Sequence, residues 1–137
     1  MRAVLVDAGA LIAFLDRSDA NHERCAAALA DIHDPLVTVS PALTEAMHLL
    51  GRVPRAQDLL CEMVEDNLVE VFDLSRGDFP RMRELMQKYR DLPMDFADAA
   101  LVRVAEREDL ARILTFDAHF KVYRLAKRRR FVVLPAK

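Results

Sequence analysis

Long apolar runs, a cysteine framework and any strong excess of charge are all missing from this chain, and each absence removes a class of protein. The longest uncharged apolar stretch, Ala8 to Leu15, is far short of the roughly 20 residues that cross a bilayer, so no membrane partner is expected. The two cysteines, Cys25 and Cys61, lie in separate helical patterns. They make no disulfide scaffold, and a reducing cytoplasm is the expected compartment. Twenty basic residues against 22 acidic ones leave a net charge of −2, which gives no whole-molecule attraction to nucleic acid. No histidine–cysteine cluster has zinc-site spacing. Arg2 and the Ala8-Gly9-Ala10 segment faintly mimic a signal peptide, but Asp7 interrupts the apolar region such a peptide needs. Repeats, linkers and low-complexity tracts are also missing. The one run of like charge is Lys127-Arg128-Arg129-Arg130.

What the chain has instead is a steady alternation of short apolar runs and helical patterns. Its 137 residues, 53% hydrophobic and 31% charged, suit one soluble domain over residues 1–137 with its own core. Strands are expected at 2–6, 36–39, 68–72, 112–115 and 131–134. Helices are expected at about 9–15, 21–32, 40–51, 54–66, 76–89 and 95–108, with a short turn or helix over 118–125. Ser40 is read as an N-cap ahead of Pro41, Gly51 as a C-terminal stop, and Leu92-Pro93 as a break. Strand–helix alternation of this kind builds right-handed βαβ units, so the fold class is α/β, with a parallel sheet covered on both faces.

Four acidic residues interrupt or end the apolar stretches. Asp7 follows Ala3-Val4-Leu5-Val6, at the junction of a buried strand and the next helix. Asp117 follows the strand at 112–115 in the same way. Glu45 flanks the core stripe Leu43, Ala46, Met47 and Leu50. Asp98 stands among Ala97, Leu101, Val102 and Ala105, with Asp95 one turn earlier. Ionised carboxylates are costly to bury unless they are paired or bind a metal. In open α/β sheets ligands bind beyond the carboxyl ends of the strands. Asp7 and Asp117 therefore converge if the first and fourth strands are neighbours, and the helix start carrying Glu45 lies on the same edge. An all-oxygen set of this kind suits Mg²⁺ or Mn²⁺, and its typical chemistry is phosphodiester hydrolysis by metal-activated water.

Each acid also has a plainer reading. Asp7 and Asp117 suit helix or turn caps, and Glu45 a solvated helix position. Asp95 suits an N-cap answered by Asp98 three residues on, a variant of the capping box. None of these roles excludes metal binding. His48 and His119 flank the acids, while Arg52, Arg55, Arg81, Arg83, Lys88 and the run 127–130 are either solvated surface or contacts for phosphate groups.

Taken in order, the motifs resemble a known family. They are Val6-Asp7-Ala8-Gly9, Glu45 after the Pro41 helix start, Leu92-Pro93-Met94-Asp95-Phe96-Ala97-Asp98-Ala99, and Leu114-Thr115-Phe116-Asp117-Ala118-His119-Phe120. The chain is similar over nearly its whole length to PIN-domain ribonucleases, in particular the VapC-type toxins of bacterial toxin–antitoxin pairs. That resemblance implies a three-layer α/β/α fold around a central five-stranded parallel sheet. It also implies Mg²⁺- or Mn²⁺-dependent RNA cleavage, a cognate antitoxin and a homodimer. The family's acids carry over to Asp7, Glu45, Asp98 and Asp117, with Asp95 as an additional acid beside the third. Many members have a hydroxyl or amide residue where this chain has Gly9, while Thr115 fits the hydroxyl residue often found before the last aspartate. Two other readings remain open. One is a receiver-like signalling domain, which also holds Mg²⁺ with carboxylates. The other is a non-catalytic binding module on the same fold.

Overall fold

The structure, a computed structural model, describes residues 2–136. Five strands, β1 (Val4–Val6), β2 (Leu36–Val39), β3 (Val69–Phe72), β4 (Arg112–Leu114) and β5 (Val132–Leu134), form one parallel sheet in the order β3-β2-β1-β4-β5. Around it lie six helices: α1 (Ala8–Leu15), α2 (His22–Ala30), α3 (Ser40–Leu49), α4 (Pro54–Glu65), α5 (Phe79–Lys88) and α6 (Phe96–Arg107). The result is the expected three-layer α/β/α arrangement. β1 is buried on both faces, which is why its residues read as a continuous apolar run instead of an alternation. β1 pairs with β4 through Leu5 with Ile113 and Val6 with Leu114. The chain first steps from β1 through β2 to β3, then returns to add β4 on the other side of β1. The direction of winding reverses between β1 and β4, and such a reversal opens a crevice at the strands' carboxyl ends.

Several helix ends differ from the sequence expectation. Ser40 is the first residue of α3, not its cap; extended Val39 precedes it, and no side chain caps that end. Pro41 still sits in the first turn, where its missing N–H costs nothing. Gly51 is no left-handed stop, because α3 runs on into a 3₁₀ turn over Leu50–Arg52 and none of the glycines has a positive φ. The left-handed stops are Asn67 after α4 and Asp109 after α6, with φ of 60° and 55°. There the N–H of Leu68 reaches back to the Met63 carbonyl (2.9 Å) and that of Leu110 to the Ala105 carbonyl (2.8 Å). Asn and Asp tolerate this conformation better than other side chains do, so a polar residue does the work usually given to glycine.

The helix expected over 76–89 begins instead as a 3₁₀ turn, Arg76–Asp78, before α5. Asp78 is the reason. It is 1% exposed, and its carboxylate accepts from the Ser75 N–H (2.8 Å), Arg103 Nε (2.8 Å) and Arg107 Nη1 (2.9 Å). Burial alone would raise its pKa, but the Ser75 N–H and the two guanidinium groups outweigh burial and hold it below the usual carboxylate range. Asp78→Ala is expected to destabilise the protein by about 2 kcal/mol in urea titration. That is less than the roughly 3–5 kcal/mol of a fully enclosed pair, because both arginines reach water. A change under about 0.5 kcal/mol would show the cluster to be dispensable.

Candidate active site

Asp7 leaves β1 in extended conformation and caps α1, its Oδ1 accepting the Ala10 N–H (2.9 Å). Its Oδ2 accepts the hydroxyl of Thr115, a buried residue just beyond β4. The same hydroxyl oxygen accepts the Asp117 N–H (3.0 Å), so one threonine ties together the ends of β1 and β4. Asp117 caps the 3₁₀ turn Ala118–Lys121, accepting the His119 N–H (2.9 Å), with His119 Nδ1 3.3 Å from the same oxygen. Asp95 caps α6 by accepting the Asp98 N–H (2.8 Å), while Asp98 Oδ2 accepts the Asp95 N–H (3.2 Å) and the Tyr123 hydroxyl (3.4 Å). The capping roles are therefore real, and they fix carboxylates that still have free lone pairs. Glu45 stands exposed on α3 and meets the others at the rim.

All five predicted acids line one cavity of about 340 Å³ at the switch point between β1 and β4. Asp19 and Asn21, from the loop between α1 and α2, line it too. Neither was singled out from the sequence, where Asp16-Arg17-Ser18-Asp19 reads as ordinary turn chemistry. Tyr123 was likewise unmarked. Gly9 lines the cavity, and a side chain there would meet Asp7 Oδ1 at 3.7 Å, an ordinary contact. The position that departs from the resembled family thus has room for a Cβ, and glycine is not a steric requirement there. His48 is exposed and outside the cavity. Arg81 is engaged by Glu84 and Glu106. The run 127–130 precedes β5, at the sheet edge opposite the acids, with Arg129 paired to Asp109 (3.1 Å).

Among the described residues, no lysine, arginine or histidine lines this cavity. The acids consequently lack counter-charge. Asp7, 8% exposed, is pushed up from 3.8 to about 6, chiefly by burial. The Thr115 and Ala10 hydrogen bonds act the other way, while the charges of Asp117 and Glu45 add to the rise. Asp98 rises to about 7 through burial and then the charge of Asp95. Burial and Asp95 also raise Glu45. Burial and the Asp98 charge push the Tyr123 phenol up as well, so it stays a hydrogen-bond donor. A divalent cation would relieve all of these at once. Among the described residues, no three acid, histidine or cysteine side chains are gathered tightly enough to hold an ion by themselves. The donor set fits a hard cation that keeps several of its waters and takes one or two carboxylates directly.

A parallel sheet whose switch-point crevice is walled by acids is the arrangement of a PIN domain, and the chain belongs to that family: the PIN domain model matches residues 4–125. The chain is 26% identical over 136 residues to Ribonuclease VapC26 of Mycobacterium tuberculosis, covering 96% of this chain and 100% of that protein. Its fold is similar to VapC20 of Mycobacterium tuberculosis, described as a sarcin-ricin loop cleaving toxin, at a TM-score of 0.80 and 20% identity, covering 87% of this chain and 93% of that one. It is also similar to VapBC2 of Rickettsia felis, solved with a DNA fragment from their promoter (TM-score 0.67, 13% identity, 96% and 98% covered). A toxin–antitoxin complex from Klebsiella pneumoniae matches at a TM-score of 0.65 and 16% identity, over 84% and 87% of the two chains. The receiver-like reading fails on topology. Flavodoxin-like receivers have strand order 2-1-3-4-5, with their switch point between β1 and β3. Here the order is β3-β2-β1-β4-β5.

Proposed function

We propose that the protein is an endoribonuclease that hydrolyses RNA phosphodiester bonds with Mg²⁺ or Mn²⁺ and serves as the toxin of a toxin–antitoxin pair. The observation that carries this reading is the cavity itself: Asp7, Glu45, Asp95, Asp98 and Asp117 converge at the switch point, with no basic side chain lining it among the described residues. The relative named as a ribonuclease, aligned over its full length, supports the activity. The toxin–antitoxin complexes among the structural neighbours support a cognate antitoxin. Residues 1–137 act as one PIN-like domain in the cytoplasm, as a homodimer. Among the described residues no helix is long and apolar enough to cross a membrane.

A divalent cation bound here would supply Lewis-acid activation of water and offset negative charge on the phosphodiester. Asp7, Glu45, Asp98 and Asp117 would hold it, directly or through water, with Asp95 in support. The chain's own contribution is orientation. Thr115 locks Asp7 and the Asp117 backbone together, and Tyr123 steadies the Asp98 carboxylate. In the test, protein stripped with EDTA is offered single-stranded and hairpin RNAs. Cleavage is expected on adding Mn²⁺ or Mg²⁺ and not before. Equal cleavage in EDTA overturns the metal assignment, and RNA binding without products favours the non-catalytic module.

A further inference from the structure

We infer that Arg24 and Lys121 form a phosphate subsite that holds the RNA backbone beside the scissile bond; this rests on the ribonuclease reading above. The acidic cavity does not end at Asp117. Phe116 and Asp117 also wall a second depression, of about 260 Å³, and Arg24 and Lys121 line it. On the opposite flank, Glu45 and Asp95 are shared with an apolar groove walled by Pro41, Leu74 and Phe96, which no lysine or arginine lines among the described residues. Among the described residues, the acidic cavity therefore has a cationic shoulder on the β4–β5 side.

Both cations are available there. Neither joins an ion pair among the described residues, whereas Arg81, Arg103, Arg107, Arg112 and Arg129 are all engaged by carboxylates. Arg24 is nevertheless held in place. Its guanidinium lies 5.1 Å from the Phe116 ring centroid, and its Nη1 donates to Asn21 Oδ1 (3.3 Å). A guanidinium held over an aromatic face this way still has N–H groups left to donate to phosphate oxygens. Lys121 ends the 3₁₀ turn that Asp117 caps, and is exposed. A single strand carries one negative charge per nucleotide. When one phosphate faces the acids across a cation, its neighbours are repelled by the remaining carboxylates unless a fixed positive charge receives them. The Arg24–Lys121 shoulder supplies that charge one step along the strand.

The test uses a short single-stranded RNA that the wild-type protein cleaves with Mn²⁺. Arg24→Gln and Lys121→Gln are each expected to raise KM about tenfold, with kcat within about twofold of wild type. In an Asp7→Asn background, which stops cleavage, each should weaken binding by the same factor. Each should also make the slope of log affinity against log salt shallower by about 0.7. Arg2→Gln, at the amino edge of the sheet, removes the same charge and is expected to change none of these. An uncharged methylphosphonate at the phosphate next to the scissile bond should weaken wild-type binding tenfold and erase its advantage over Lys121→Gln. Melting curves confirm that the variants fold. Wild-type affinity and slope in both subsite variants, an equal loss in Arg2→Gln, or additive effects of methylphosphonate and variant each overturn the subsite. Absence of RNA cleavage by the wild type would be seen before any variant is made, and overturns the ribonuclease reading together with the subsite.

Discussion

Asp7→Asn is expected to cut RNA cleavage by roughly three orders of magnitude while making the metal-free protein more stable. Losing a carboxylate that helps hold the cation removes several kcal/mol of transition-state stabilisation, and each 1.36 kcal/mol is about tenfold in rate. The stability change has the opposite sign because the same carboxylate is buried without counter-charge. A rise from 3.8 to about 6 corresponds to roughly 3 kcal/mol of destabilisation at neutral pH. Asparagine keeps the shape and still accepts the Ala10 N–H. Its amide would donate to Thr115 Oγ1, so the threonine proton must turn elsewhere, and part of the gain is lost. A net gain of about 1–2 kcal/mol remains, or an increase in Tm of about 3–8 °C in EDTA. Cleavage assays and melting curves on the same preparation read both signs. An inactive variant that melts lower than wild type would reduce Asp7 to a structural cap.

The opposed signs also explain why Asp7 was legible in the sequence. A carboxylate at the end of an apolar strand is locally unfavourable, and a local anomaly is visible without a structure. Asp117 carries the same signature. Asp98 is visible for a related reason, as an acid on a helix face whose neighbours Ala97, Leu101, Val102 and Ala105 are all buried. The Asp95–Asp98 spacing was readable as a capping box, and the structure contains both of its hydrogen bonds.

What the sequence hid was long-range. Asp19 looks like one more turn residue until the loop after α1 folds over the cavity. Tyr123 lies 25 residues from Asp98, and no local pattern links a phenol to a carboxylate at that distance. Asp78 falls inside the helix expected over 76–89, where nothing local marks it as buried. Its only trace was the pair Arg103 and Arg107 one turn apart on α6. Arg24 and Lys121 are 97 residues apart, whereas the run 127–130, conspicuous in sequence, lies on the wrong edge of the sheet. Gly51 misled because glycine is the usual left-handed stop, yet at the ends of α4 and α6 the chain uses Asn67 and Asp109.

Without divalent cations the protein is expected to lose stability as pH rises from about 4 to 7, and Mn²⁺ should offset most of that decline. Asp7 and Asp98 have folded pKa values, about 6 and about 7, above the 3.8 of an unperturbed aspartate. Between those limits the folded state keeps protons that the unfolded chain has released. Unfolding is then favoured by rising pH, with a slope of about 1.4 kcal/mol per pH unit for each such group. The loss starts near pH 4, is complete above pH 7, and from Asp7 alone amounts to about 3 kcal/mol. Asp98, which reaches water, adds less than its shift suggests. Asp34 and Asp78 are held below the usual carboxylate range, so their contribution is present above about pH 4 and fades below it. The metal-free optimum should therefore fall near pH 4–5, lower than the pH 5–8 usual for folded proteins. A cation that binds only the folded, ionised site at 100 times its Kd restores about 2.7 kcal/mol. Its stabilisation should be large at pH 8 and nearly absent at pH 5, where protons compete for the same oxygens. In Asp7→Asn/Asp98→Asn both the decline and the Mn²⁺ response should vanish. Urea titrations at four pH values, with EDTA or with Mn²⁺, measure this directly. Metal-free stability that climbs from pH 5 to 8, or a Mn²⁺ effect of equal size at both ends, would mean that these acids are not a cation site.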